Sequence, residues 1–153
     1  MHDQGMKLIF LDIDGVLNSS YGKEPYIADM EVSKLSLLKQ LIVESKADGI
    51  VLISDRRYSK PYMKQFIDAL DQFEIFMVGM TRKPKRIEED TEDNRGKQIV
   101  DYLTDSEDDI ESIVILDDID DGISELFPDE FILVNHFYGL NDDIYQKAVE
   151  ILK

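Results

Sequence analysis

An α/β fold, a three-layer Rossmann-like arrangement with a mostly parallel five-stranded sheet and helices on both faces, is predicted by the spacing of the chain's apolar runs and by the polar residues that close them. Five short runs rich in Ile, Val and Leu recur at residues 7–13, 49–53, 74–78, 112–116 and 131–134. Between them lie segments whose apolar residues fall three and four apart, the period of one helix face. Strands that alternate with helices in this way pair in parallel, because each helix carries the chain back along the sheet before the next strand begins.

Taken in order, the first run ends in Asp12 and Asp14, with Gly15 directly behind them. Asp29 is placed to cap a helix carrying Val32, Leu35, Leu38 and Ile42. Ser59 and Pro61 open a second helix, with Tyr62, Met63, Phe66, Ile67 and Leu70 on its core face. A third pattern carries Ile99, Val100 and Leu103, a short apolar turn gathers Ile123, Leu126 and Phe127, and a last helix carries Ile144, Ala148, Ile151 and Leu152. The longest polar connection, residues 79–96, holds Thr81-Arg82-Lys83-Pro84-Lys85-Arg86 and then an acidic run. It offers nothing to bury and is expected to be a mobile loop beside the sheet edge, its charges balanced by one another.

At 153 residues the chain is read as one domain, 1–153, able to bury roughly two thirds of the surface its unfolded form exposes. Residues 1–5 are read as a disordered leader. Apolar residues make up 43% and charged residues 33%, which leaves room for an ordinary core. The absence of cysteine excludes disulfides, thiol catalysis, thiolate-bound zinc and iron–sulfur clusters for this chain. No apolar stretch approaches the ~18 residues that span a bilayer and no secretion signal opens the sequence, so no membrane partner and a cytoplasmic location are expected. A net charge of −16 argues against an extended nucleic-acid footprint, since phosphate backbones are held by Lys and Arg. That charge is uneven: residues 56–97 hold ten basic and eight acidic side chains, so one side of the molecule can attract anions.

In parallel sheets the ligand crevice lies at the carboxyl ends of the strands, where strand order reverses. Those ends carry Asp12 and Asp14, then Ser54 and Asp55, then Asp117 and Asp118. A carboxylate at the end of a buried strand loses hydration and needs compensation, most simply a metal ion or a bound ligand. Residues i and i+2 of a strand share a side, so Asp12 and Asp14 can face one small space while Gly15 turns the chain sharply. Two negative groups in one space invite a divalent cation.

The series Asp12-x-Asp14-Gly15-Val16-Leu17-Asn18, Val51-Leu52-Ile53-Ser54 and Val114-Ile115-Leu116-Asp117-Asp118 resembles, in composition and order, the motifs of the haloacid dehalogenase (HAD) superfamily of phosphotransferases. The likeness spans nearly the whole chain. About thirty-five residues separate the first two motif strands, too few for a large cap, and Arg95-Gly96 precedes a helix. The chain is therefore most similar to small capless members, including the HAD domains of RNA-repair proteins. The resemblance implies that Asp12 attacks phosphorus to form an aspartyl-phosphate, while Asp14 acts as acid and then base. Mg²⁺ would meet the Asp12 carboxylate, the Asp14 backbone carbonyl and the Asp118 carboxylate, with Asp117 one place behind. Repulsion among these acids is expected to keep a proton on Asp14. Ser54, with Gly15 and Asn18 in the first loop, would face the phosphoryl group. Either Arg95 or Lys97 supplies the positive charge of the third motif. The substrate implied is a phosphomonoester, either a phosphorylated small molecule or the terminal phosphate of a nucleic acid.

Each element also has a plainer reading. Ser54 serves equally as a helix cap. Arg56 and Arg57 can grip a substrate phosphate or pair with acids such as Asp55, which itself brings negative charge close to the phosphate site. His136, after the fifth strand, is read as structural. Two other functions compete with the enzyme: a receiver-like signalling domain phosphorylated on Asp55, with Asp12 and Asp14 holding its metal, and a phospholigand-binding module without turnover.

Overall fold

A computed structural model describes residues 5–20, 25–82 and 93–153. Its sheet is five-stranded and parallel throughout, in the order β5 (Met77–Met80), β4 (Gly49–Leu52), β1 (Met6–Leu11), β6 (Ile110–Asp117), β7 (Phe131–Leu133). β1 sits in the middle because Leu8, Ile9, Phe10 and Leu11 are apolar on both faces, which only a strand covered on both sides tolerates. From β1 the chain steps outward to β4 and β5, then crosses back to lay β6 on the other flank of β1. Strand order therefore reverses between β1 and β6.

Alternation along the strands sorts the core into two layers. Ile9, Leu11, Ile50, Leu52, Val114 and Leu116 point to the side covered by α1 (Val32–Ser45), α2 (Lys60–Gln72) and α5 (Asp142–Leu152). Leu8, Phe10, Val51, Ile53, Ile113 and Ile115 point to the smaller layer under α3 (Arg95–Asp105) and the one-turn α4 (Ile123–Leu126).

Several expected details shift. Asp29 does not cap α1. It sits at φ +63° beside Ala28 at φ +51°, in the turn of a hairpin formed by β2 (Tyr26–Ile27) and β3 (Met30–Glu31), and the helix starts only after Glu31, with no side-chain cap. Two left-handed residues in succession make the mirror-image turn that suits a two-residue hairpin, and Ala-Asp is not the pair that normally signals it. The edge strand β5 begins at Met77 and not at residue 74, because the exit of α2 continues through Glu74 at φ +55° and the Ile75 N–H still bonds the Leu70 carbonyl at 2.9 Å. Ile67, Val100 and Leu126 lie on the margins of their helix faces and are exposed. Of the 79–96 connection, residues 83–92 lie outside the described residues, as do residues 1–4 of the expected leader.

Leu38 is fully buried at the centre of α1's core face, while Val43 on the same helix is 64% exposed. Leu38→Ala should cost about 2–5 kcal/mol in chemical denaturation, and Val43→Ala should stay within about 0.5 kcal/mol of the native chain.

Candidate active and metal site

The reversal point brings the acids together. The Asp12 N–H donates to the Leu116 carbonyl at 3.0 Å, so the chain leaving β1 runs alongside the end of β6. Asp12, Asp117 and Asp118 each present a carboxylate oxygen there, and these oxygens lie within 4.8 Å of one another. Asp12 and Asp117 are buried and Asp118 is half-buried. Asp117, expected one place behind, is a full member of the group. Gly15 makes the close approach possible: its φ is +82°, and a Cβ there would lie 2.3 Å from Asp118 Oδ2.

Of the two basic candidates, Arg95 is the one delivered to the acids. Its Nη1 donates to Asp117 Oδ2 at 2.7 Å and lies 3.5 Å from Asp12 Oδ2, while Nη2 lies 3.6 Å from Asp55 Oδ2. The start of α3 fixes that aim. Asn94 caps the helix by accepting from the Lys97 N–H at 2.8 Å, Asp121 accepts from the Arg95 N–H at 3.0 Å, and a Cβ on Gly96 would collide with the Gly122 carbonyl. One guanidinium does not balance three acids. Burial first, then the Asp117 charge, pushes Asp12 up to about 8 against the pull of Arg95. Burial likewise pushes Asp117 up to about 6, again opposed by Arg95. Such crowded oxygen donors, short of positive charge, fit a hard dication bound by carboxylates.

Asp14 lives in a different environment, which corrects the expectation that crowding keeps it protonated. Its carboxylate lies outside the three-acid group and accepts a bidentate pair from Arg56, Nε to Oδ2 at 2.9 Å and Nη2 to Oδ1 at 2.8 Å. Asn18 Nδ2 adds a third bond at 3.1 Å. Burial raises Asp14, but the bonds from Arg56 and Asn18 and the charges of Arg56 and Arg95 outweigh it and hold the group below its ordinary value. Arg56 also reaches Asp29 Oδ2 at 3.0 Å and lies over the Tyr62 ring at 4.6 Å. It thereby ties the β2–β3 hairpin to the first loop. Asn18 braces the same loop, donating to the Asp29 carbonyl at 3.0 Å and accepting from the Gly15 N–H at 2.9 Å.

Arg57 is not brought to the opening. Its guanidinium is buried and spent on carbonyls: Nε on Thr81 at 2.8 Å and Nη1 on Ile53 at 2.9 Å and Ser54 at 2.8 Å, with Nη2 on the Gln98 side chain. Ser54 is buried and caps the 3-10 turn Asp55–Tyr58, its Oγ accepting from the Arg56 N–H at 3.2 Å. Asp55 opens that turn with an exposed side chain, outside the acid group, so a receiver-like acceptor would stand apart from the acids meant to serve it. Sequence reasoning missed Gln98 and Thr81, which anchor Arg57. The signal for Gln98 was present: it lies one turn after Arg95, a polar residue on the buried face next to Ile99. His136 is placed with Nδ1 3.0 Å from Ser20 Oγ.

A parallel Rossmann-like sheet whose reversal point gathers one acid from β1 and two from β6, with a serine at the next strand end, defines a HAD-type domain. The chain belongs to the family described as HAD domain in Swiss Army Knife RNA repair proteins, which it matches over residues 8–144. No curated protein matches it. Membership points to a phosphatase-type hydrolase, and the carboxylate group could hold a metal ion. Among the described residues no helix is long and apolar enough to cross a membrane.

A carboxyl with a higher pKa in the folded chain than in the unfolded one binds more protons when folded, so stability falls as pH rises between the two values. For Asp12 that window runs from about 4 to about 8. Asp14, shifted the other way, acts only below the ordinary carboxylate range. In chelator the melting temperature should therefore fall from about pH 5 to about pH 8, and Mg²⁺ should raise it more at the higher pH, where it replaces protons already lost. A flat profile with no metal-dependent shift would show that these acids share no cation.

Proposed function

We propose that the chain is a Mg²⁺-dependent phosphomonoester hydrolase working through an aspartyl-phosphate on Asp12. The observation that carries the reading is the convergence of Asp12, Asp117 and Asp118 with Arg95 at the reversal point of the sheet, in a chain of the HAD family. Asp12 attacks phosphorus in line, the bond to the leaving oxygen breaks, and Asp14 gives that oxygen a proton. Water then attacks the acyl phosphate, returns a proton to Asp14, and frees inorganic phosphate and the Asp12 carboxylate. Asp12, Asp117, Asp118 and the Asp14 backbone carbonyl would hold Mg²⁺, which would supply the positive charge that lets a carboxylate approach a phosphate dianion.

Arg95 offsets part of the Asp12 and Asp117 charge, and together with the cation it would favour the carboxylate form that a nucleophile needs. Ser54 and Arg56 hold phosphoryl oxygens. An incoming phosphate competes with Asp14 for the Arg56 guanidinium, and as that grip loosens Asp14 regains the affinity for a proton that an acid needs. Gly15 and Asn18 shape the loop that faces the substrate, and Asp117 serves both as metal ligand and as the Arg95 anchor. The acting unit is one domain in which, among the described residues, only the β2–β3 hairpin and α1 lie between β1 and β4. Its substrate is a small phosphate ester or the phosphorylated end of a nucleic acid, in keeping with the family's description.

The test is phosphate release from an aryl phosphate, with and without Mg²⁺, by the native chain, Asp12→Asn and Asp55→Asn. We expect metal-dependent release that Asp12→Asn lowers on the order of a thousandfold or more, while Asp55→Asn still turns over. A stable phosphoryl group on Asp55 would establish the receiver-like function instead, and no release by any form would leave a ligand-binding module.

A further inference from the structure

Beside the acid group lies an open cavity of about 290 Å³, whose lining includes Asp14, Asp118, Asn18, Ser19, Ser20 and His136. It begins at the residue assigned to protonate the leaving oxygen, so the alcohol part of the substrate enters it. A sphere of this volume is about 8 Å across, at the lower limit for a ligand site and enough for one sugar ring.

The lining selects the chemistry. Asp14 and Asp118 disfavour a second phosphate in this space and favour groups that donate hydrogen bonds. Asn18 has both amide hydrogens and its carbonyl committed to Asp14, the Asp29 carbonyl and the Gly15 N–H, and contributes shape. Ser20 and His136 form a braced pair: the Ser20 N–H donates to the His136 carbonyl at 3.0 Å, Ser20 Oγ and His136 Nδ1 are 3.0 Å apart, and the imidazole packs on the Phe137 ring at 4.3 Å between centroids. Among the described residues no hydrogen bond engages the second ring nitrogen, Nε2. Whichever partner donates in the Ser20–His136 bond, the pair can meet one group that both gives and accepts, which is what a hydroxyl does.

We propose that this cavity is the leaving-group subsite, and that it takes a sugar with a free hydroxyl on the carbon next to the phosphate ester, as at the 3′ end of a ribonucleotide, with Ser20 and His136 binding that hydroxyl. The small span carries the choice of neighbouring carbon, since that hydroxyl oxygen is only three bonds from the ester oxygen and stays inside the same space. The inference rests on the phosphatase reading only for where the phosphate sits.

The experiment is calorimetric binding to the Asp12→Asn chain with Mg²⁺, comparing a ribonucleoside 3′-monophosphate with its 2′-deoxy counterpart. The ribonucleotide should bind about five- to tenfold more tightly, and adding Ser20→Ala or His136→Phe should bring the two dissociation constants within about twofold. Ser20→Ala removes a single exposed oxygen, and a melting curve verifies that each variant is folded. Equal affinities, a preference that survives both substitutions, or no binding of either ligand would overturn the subsite. Turnover by the native chain is scored separately: a ribonucleotide preference without phosphate release from any ester would sink the phosphatase reading and leave the sugar subsite standing.

Discussion

Three carboxylates held against one guanidinium at the junction of β1 and β6 are the constraint on which the rest of this molecule depends. Like charges at this separation repel, and burial strengthens the repulsion by removing water. The fold tolerates the arrangement because it is rigid on every side. β1 is hydrogen-bonded to strands on both flanks, and the Asp12 N–H continues that ladder one residue past the strand end. Arg95 arrives from a third direction, on a helix whose start is capped by Asn94 and held by Asp121. A site assembled from three elements in this way keeps its acids crowded, and such a group could hold a metal ion.

The same geometry separates the two acids of the first loop. Asp12 faces inward to acids and Asp14 faces outward to Arg56, although only one residue lies between them. The turn at Gly15 and the Asn18 bonds hold that divergence. Placing one carboxyl in a crowd and its neighbour in a clasp drives their proton affinities apart, which is how a pair of like side chains takes up two roles. Burial favours the proton on Asp12 while Arg56 disfavours it on Asp14, the reverse of the proposed catalytic roles, and under that proposal metal and phosphate would exchange the two.

Most of the architecture was legible because parallel strands buried on both faces leave an unmistakable run of apolar residues, and because acids at strand ends have few purely structural uses in combination. The choice between Arg95 and Lys97 was not legible. Both lie in the first turn of α3, and which one points at β6 depends on the close contact between Gly96 and the Gly122 carbonyl, a long-range packing fact with no local sequence signal. The fate of Arg56 and Arg57 was equally hidden. Two identical neighbours on a 3-10 turn face in different directions, one to the first loop and the other into a nest of carbonyls from Ile53, Ser54 and Thr81. The β2–β3 hairpin was missed for a plainer reason, since Ala28 and Asp29 adopt left-handed geometry without a glycine to announce it.

That nest gives Arg57 a consequence beyond packing. By collecting carbonyls at the ends of β4 and β5 and the side chain of Gln98 on α3, it fastens to one another the three elements that carry Ser54, Thr81 and Arg95. The Asp55 carboxylate at 3.6 Å from Nη1 compensates part of its charge, and the carbonyl dipoles meet the rest. Arg57 thus acts as a frame for the strand ends, and replacing it with a neutral residue would leave buried carbonyls unpaired and loosen the three elements from one another.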